Sequence, residues 1–250
     1  MTVTSAAILF AAALWAGIQN TLAGGGTFLT LPALMLTGMN ALSANITSTI
    51  ALFPGQITSA WGGRGHVTGV GQLSFKALVV ISLAGGVVGA ILLLVTPSTI
   101  FARMVPWLVL FATAVFAYGS FGPKRRARAG HALNAGGAGI AQFCIAIYGG
   151  YFGGGIGFLM LAALTAAGLA IRNAGATKNV LAGAMNASAV LIFAFSPQVQ
   201  WRQAAIAAVG AAVGGLIGAM LIRRVNEKLL RGAAVAIGVA LTVGLFLHAP

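Results

Sequence analysis

Glycines set inside apolar runs are the residues of this chain with the most chemistry to offer. Gly24, Gly25 and Gly26 interrupt one hydrophobic stretch, and Gly153, Gly154 and Gly155 interrupt another. Glycine tolerates positive φ and close backbone approach. Each triplet can therefore break a helix and free backbone N–H and C=O groups, which in a bilayer must be met by protein, water or a solute. A helix that starts at such a break presents unpaired N–H groups and the positive end of its dipole, and both favour an anion. A tight turn or close helix packing would use the same glycines without any ligand. Polar residues follow each break. Thr47 and Thr177 could bind a solute or simply cap a helix. Gln56 and Asn186 each stand in an apolar run, where an amide either bonds a neighbouring helix or lines a shared cavity. Lys178 sits near a predicted helix start, the end at which the dipole disfavours a cation. It is either an anchor snorkelling to the interface or a charge partner for an anion. Arg172 is a weaker source of charge, because it reads as a loop residue.

These residues belong to a unit written twice. At a fixed offset of 130 residues, ten of the 24 positions from Gly24 to Thr47 are identical: Gly24, Gly25, Phe28, Leu29, Leu31, Ala33, Leu34, Gly38, Ala44 and Thr47. Gln56 and Asn186 align at the same offset. Pro32 and Pro54 do not recur, since Ala162 and Ala184 stand in their places, so the first copy should be the more distorted. A second repeated feature is Gly85–Ala90, echoed by Gly214–Ala219. Its small-residue spacing lets helices meet backbone to backbone, either between the halves or between the subunits of a homodimer.

The elements that must hold these residues are transmembrane helices. Apolar residues make up 59% of the 250, charged residues only 6%, and mean hydropathy is +1.00. A soluble domain carries roughly 25% charged residues. Period-two alternation is absent, which disfavours a transmembrane β-barrel. Ten segments are predicted: Val3–Leu22, Thr27–Met39, Ile46–Trp61, Phe75–Val95, Ile100–Phe121, Ala132–Phe152, Ile156–Ile171, Thr177–Phe195, Ala204–Ile222 and Leu230–His248. The first reads as a retained helix rather than a signal peptide, since it lacks a basic leader. The second segment of each half is short, so it either crosses or turns back. If all ten cross, 12 of the 14 lysines and arginines fall on one side, leaving Arg103 and Arg202 on the other. If the short segments turn back, the split is 7 to 7. The positive-inside rule favours ten crossings with both termini outside. Five crossings per half place the halves in opposite orientations, an inverted repeat of the kind many secondary transporters use. The expected division is 1–121 for the first repeat, 122–131 for a basic cytoplasmic linker and 132–250 for the second repeat.

Absences narrow the function further. The net charge of +13 follows from the loop bias and from a single acid, Glu227. No basic stripe interleaves with aromatics, so nucleic acid is not an expected partner. Without a carboxylate in any segment, a proton relay or sodium site is disfavoured. His66, His131 and His248 are scattered near segment ends, no cluster suggests a metal, and no cofactor motif or Walker loop is present. Cys144 is the only cysteine and excludes an internal disulfide. An intramembrane enzyme is therefore not expected. An anion carrier fits these absences, because an inside-negative potential drives anions outward without a coupled cation.

The order of these elements resembles the TauE/SafE family of sulfite and sulfonate exporters, and the likeness covers nearly the whole chain. It rests on Gly24–Pro32, on Tyr148–Gly157 with its aromatic-interspersed glycines, on Ala176-Thr177-Lys178, and on Asn186, Trp201 and Gly214–Gly218. The resemblance implies an inner-membrane permease for small oxyanions or organosulfonates, acting outward. Ala162 departs from it, standing where many relatives carry proline. The expected fold is all-α, with about ten helices in two inverted five-segment repeats. The expected site comprises Gly24, Gly25, Gly26, Gly153, Gly154 and Gly155 with Thr47, Gln56, Thr177, Lys178 and Asn186, and its partners are a small anion and the lipid bilayer. Two alternatives remain open: a membrane scaffold that transports nothing, and a permease for a cationic or neutral solute.

Overall fold

The computed structural model describes residues 2–22, 25–121, 135–221 and 227–247. The linker expected at 122–131 and Gly24 lie outside the described residues. The fold is all-α. Among the described residues it comprises α1 (Val3–Leu22), α2 (Thr27–Met35), α3 (Ala41–Gly63), α4 (Phe75–Val95), α5 (Ser98–Phe121), α6 (Ala135–Tyr151), α7 (Ile156–Ala166), α8 (Ile171–Phe193), α9 (Trp201–Leu221) and α10 (Glu227–Leu247).

Two boundaries differ from expectation in the same way. α3 begins at Ala41 rather than Ile46, and α8 at Ile171 rather than Thr177. Both stretches are polar enough to read as loop, but in α3 the polar side chains make hydrogen bonds inside the protein. Asn40 caps α3, its Oδ1 accepting the Ser43 N–H at 2.9 Å. Ser43 Oγ donates to Gln198 Oε1 at 2.6 Å, and Asn45 Nδ2 donates to the Tyr151 carbonyl at 3.0 Å. Thr47 and Thr177 thus lie inside helices and cap neither.

α2 and α7 have 9 and 11 residues. At a rise of 1.5 Å per residue they cover about 14 and 17 Å, roughly half the ~30 Å hydrocarbon core. Both are followed by a glycine at positive φ, Gly38 and Gly168, which are repeat-related. Among the described residues, α1 (over Val3–Thr21), α4 and α5 are the helices long and apolar enough to cross a bilayer by composition. α3 and α8 have the length but carry the polar residues of the interior.

Glycine contacts give the helix directions. A methyl on Gly210 would meet the Phe10 carbonyl oxygen at 2.7 Å, one on Gly214 would fall on that of Leu14, and one on Gly218 would meet that of Ile18 at 2.9 Å. Residue numbers rise together, so α1 and α9 run parallel. α3 follows the same direction along α9, with Gly55 at Ala211 and Thr58 at Gly215. α4 and α6 also run parallel, Gly85 meeting Phe143 and Ala146 while Gly89 meets Ile147 and Tyr151. α3 and α8 cross antiparallel: Gln56 bonds Asn186, and Ala60 faces Gly183. Because α1 and α3 point the same way, the segment between them carries the chain back along the depth of α1. A segment that returned to its own side would leave α3 antiparallel to α1.

The first helix of each half therefore packs on the fourth helix of the other, α1 on α9 and α6 on α4. The glycines of Gly85–Ala90 and Gly214–Ala219 lie at these contacts, between the halves. An apolar core joins the short helices. Phe116 on α5 stands between Phe28 and Phe158, which are repeat-related, with ring centroids at 6.2 and 4.0 Å. Outside, Val87, Ile91, Leu94, Trp107 and Phe111 are exposed on α4 and α5, an apolar surface that suits lipid.

Candidate functional site

Both glycine breaks reach one cavity. It has a volume of about 50 Å³ and is lined by Asn20, Gly25, Thr27, Gln56, Gly153, Gly155, Ile156, Gly157, Lys178, Asn179 and Ala182. The first break contributes the start of α2, the second the start of α7, and the middles of α3 and α8 close the sides.

Gly25, Gly153 and Gly155 have φ of 84°, 78° and 74°. A side chain is strained in that region, and at Gly155 a methyl would also press on Ala112 at 3.2 Å. Gly155 is the N-cap of α7. The N–H groups of Ile156 and Gly157, at the first two positions of α7, have no intrahelical acceptor, and both residues line the cavity. Lys178 lies against that same turn, since a methyl on Gly157 would sit 3.5 Å from its Nζ. A cation beside a helix N-terminus is electrostatically unfavourable. An anion placed between the two would reverse the sign of both interactions. With a single acid in the chain, Glu227, protein carboxylates are not available in number to do so.

Gln56 reaches the cavity from α3. Its Oε1 accepts a hydrogen bond from Asn186 Nδ2 on α8 at 2.7 Å. These residues occupy equivalent positions of the repeat, and they touch each other where α3 and α8 cross.

The structure thus gathers Gly25, Gly153, Gly155, Gln56 and Lys178 of the expected site residues, with Asn186 one contact behind them. Four others stand elsewhere. Gly26 packs on α1, where a methyl would meet the Ala16 carbonyl oxygen at 2.8 Å, and its N–H donates to Asn20 Oδ1 at 3.3 Å. Gly154 faces the Phe152 ring, 2.6 Å from a would-be methyl. Thr47 Oγ1 accepts the Gln200 N–H at 3.2 Å. Thr177 Oγ1 accepts the Thr68 N–H at 3.0 Å and donates to the Thr68 carbonyl at 3.3 Å. Both threonines are fully buried and tie the segments ahead of α9 and α4 to α3 and α8. Arg172 is exposed on the first turn of α8. The polar lining residues outside the expected site are Asn20, Thr27 and Asn179. Asn20, an amide in an apolar run just ahead of the glycine break, carried the same signal that marked Gln56.

Residues 9–245 match the family described as Sulfite exporter TauE/SafE. A probable membrane transporter protein called ORF9 from Sinorhizobium sp is 29% identical, over 96% of this chain and 91% of its own. The probable membrane transporter protein YfcA of Escherichia coli strain K12 is 28% identical, over 95% of this chain and 88% of its own. A probable membrane transporter protein of Haemophilus influenzae is also 28% identical, over 94% of this chain and 92% of its own. No solved structure gives a significant match. The chain belongs to the sulfite exporter TauE/SafE family, and it is a multi-pass membrane transporter, not an enzyme.

Proposed function

We propose that this transporter carries a small oxyanion of the sulfite or organosulfonate class outward across the inner membrane, through the cavity between the glycine breaks. The observation that carries this reading is Lys178 set against the N-terminal turn of α7, inside a cavity that also receives the start of α2. Three sources of positive potential meet there. A volume of about 50 Å³ suits a small oxyanion or a sulfonate head group, and an organosulfonate would extend its tail beyond the cavity. A scaffold would have no reason to gather these polar groups into one place, and a cation would be repelled by them.

The parallel pairs α1–α9 and α4–α6, with α3 and α8 antiparallel, support an inverted-repeat arrangement. In it the basic loops face the cytoplasm and both termini face outward. Export then follows from electrostatics, because an inside-negative potential favours outward anion movement by ~2.3 kcal/mol per charge per 100 mV. Sulfite, sulfate and organosulfonate flux in proteoliposomes under an imposed potential tests this. Sulfite or sulfonate efflux should accelerate as the interior is made more negative. Flux indifferent to the potential would remove the proposed driving force.

A further inference from the structure

We infer that Asn186 is a positioning residue that fixes which face of the Gln56 amide the substrate meets. The inference rests on the anion reading above and adds to it the origin of the cavity's donor character at Gln56. An amide side chain offers either a carbonyl or an NH2. Beside a bound anion the two choices have opposite effects. The Asn186 Nδ2 group donates to Gln56 Oε1 at 2.7 Å, so the Gln56 carbonyl is already engaged. Gln56 lines the cavity, and Nε2 is the polar group it has left to present there.

Asn186 itself is only 3% exposed, and its Oδ1 is buried with no hydrogen-bond partner among the described residues. Such an unmet carbonyl is unfavourable in an apolar interior. If Asn186 served only to join α3 and α8, a pair that left no acceptor unmet would serve better. The cost is explained if the requirement is on Gln56: its carbonyl is held away, and its NH2 joins the Lys178 ammonium and the α7 amides as a third kind of donor. The repeat makes this possible. Positions 56 and 186 are equivalent and meet at the α3–α8 crossing, so one amide can orient while the other binds.

Sulfite binding to the purified full-length transporter tests the inference through a double-mutant cycle, with thermal unfolding reporting the integrity of each variant. Asn186→Leu keeps the branched shape of the side chain and removes the orienting donor. It should weaken binding by about tenfold, the order expected for losing a hydrogen bond to a charged ligand. Gln56→Leu should weaken binding similarly. Adding Asn186→Leu to Gln56→Leu should then change nothing further, because no amide is left to orient. In a Gln56→Lys background Asn186→Leu should also be silent, since an ammonium donates in every direction. Losses that multiply in the double variant, or a Gln56→Lys protein still sensitive to Asn186→Leu, would overturn the positioning role. Failure of the wild-type protein to bind sulfite or any organosulfonate would instead overturn the anion reading on which the inference rests.

Discussion

At the residue scale, the cavity separates side chains that face the solute from those that hold the walls. Thr47 and Thr177 fall in the second group, because each spends its hydroxyl on a backbone group of a distant segment. Replacing either with valine should lower stability by about 1 kcal/mol through the lost hydrogen bond and leave anion affinity unchanged. Thermal unfolding and equilibrium binding on the same samples check this. Gly155 belongs to the first group by its backbone. Gly155→Ala would place a methyl at φ 74° and against Ala112, costing about 1–2 kcal/mol. The α7 start should shift in response, so transport should fall by more than protein yield, which flux per reconstituted molecule would report. The two groups look alike in sequence. The partners of Thr47 and Thr177 lie 153 and 109 residues away, and local pattern carries no trace of them. Gln56, Lys178 and the glycines were legible because helix breaks, strong amides and a lysine are all costly in an apolar run, and cost signals purpose. Asn186 was legible as polar but not as a second layer, since its role depends on a contact across the repeat.

At the scale of the elements, glycine faces decide how closely the helices approach. Gly214 on α9 rests its Cα against the Leu14 carbonyl of α1. Gly214→Val should force the two helices apart and cost at least about 2 kcal/mol, seen as a lowered unfolding temperature or loss of the monodisperse protein. Gly232→Ala on α10 should be tolerated, because among the described residues nothing lies within 4 Å of a methyl there. The small-residue spacing announced this packing in the sequence. What it did not announce was whether the partner would be the other half or another subunit, a question that only a tertiary contact answers. The early start of α3 was hidden for a related reason. Polarity reads as loop unless the hydrogen-bond partners are known, and the partners of Ser43 and Asn45 lie 155 and 106 residues away.

At the scale of the whole molecule, duplication is what brings two breaks to one cavity. The repeat offset of 130 residues predicted two similar halves, and the helix directions follow from the glycine contacts between them. The halves are unequal at the site itself. Lys178 stands where the first copy has Ser48, and Ser48 is used in a 2.6 Å hydrogen bond with Thr30. Among the residues that line the cavity, Lys178 is the one with a full charge, so the cavity has one cationic side and one amide side. That asymmetry makes one experiment decisive. Sulfite affinity should be measured for purified wild type, Lys178→Met and Arg172→Met, each checked for folding by thermal unfolding. Lys178→Met should lose at least about tenfold in affinity, the order of a charge-assisted hydrogen bond, while Arg172→Met should bind like wild type. Wild-type affinity in a folded Lys178→Met protein would contradict the assignment of this cavity as the anion site.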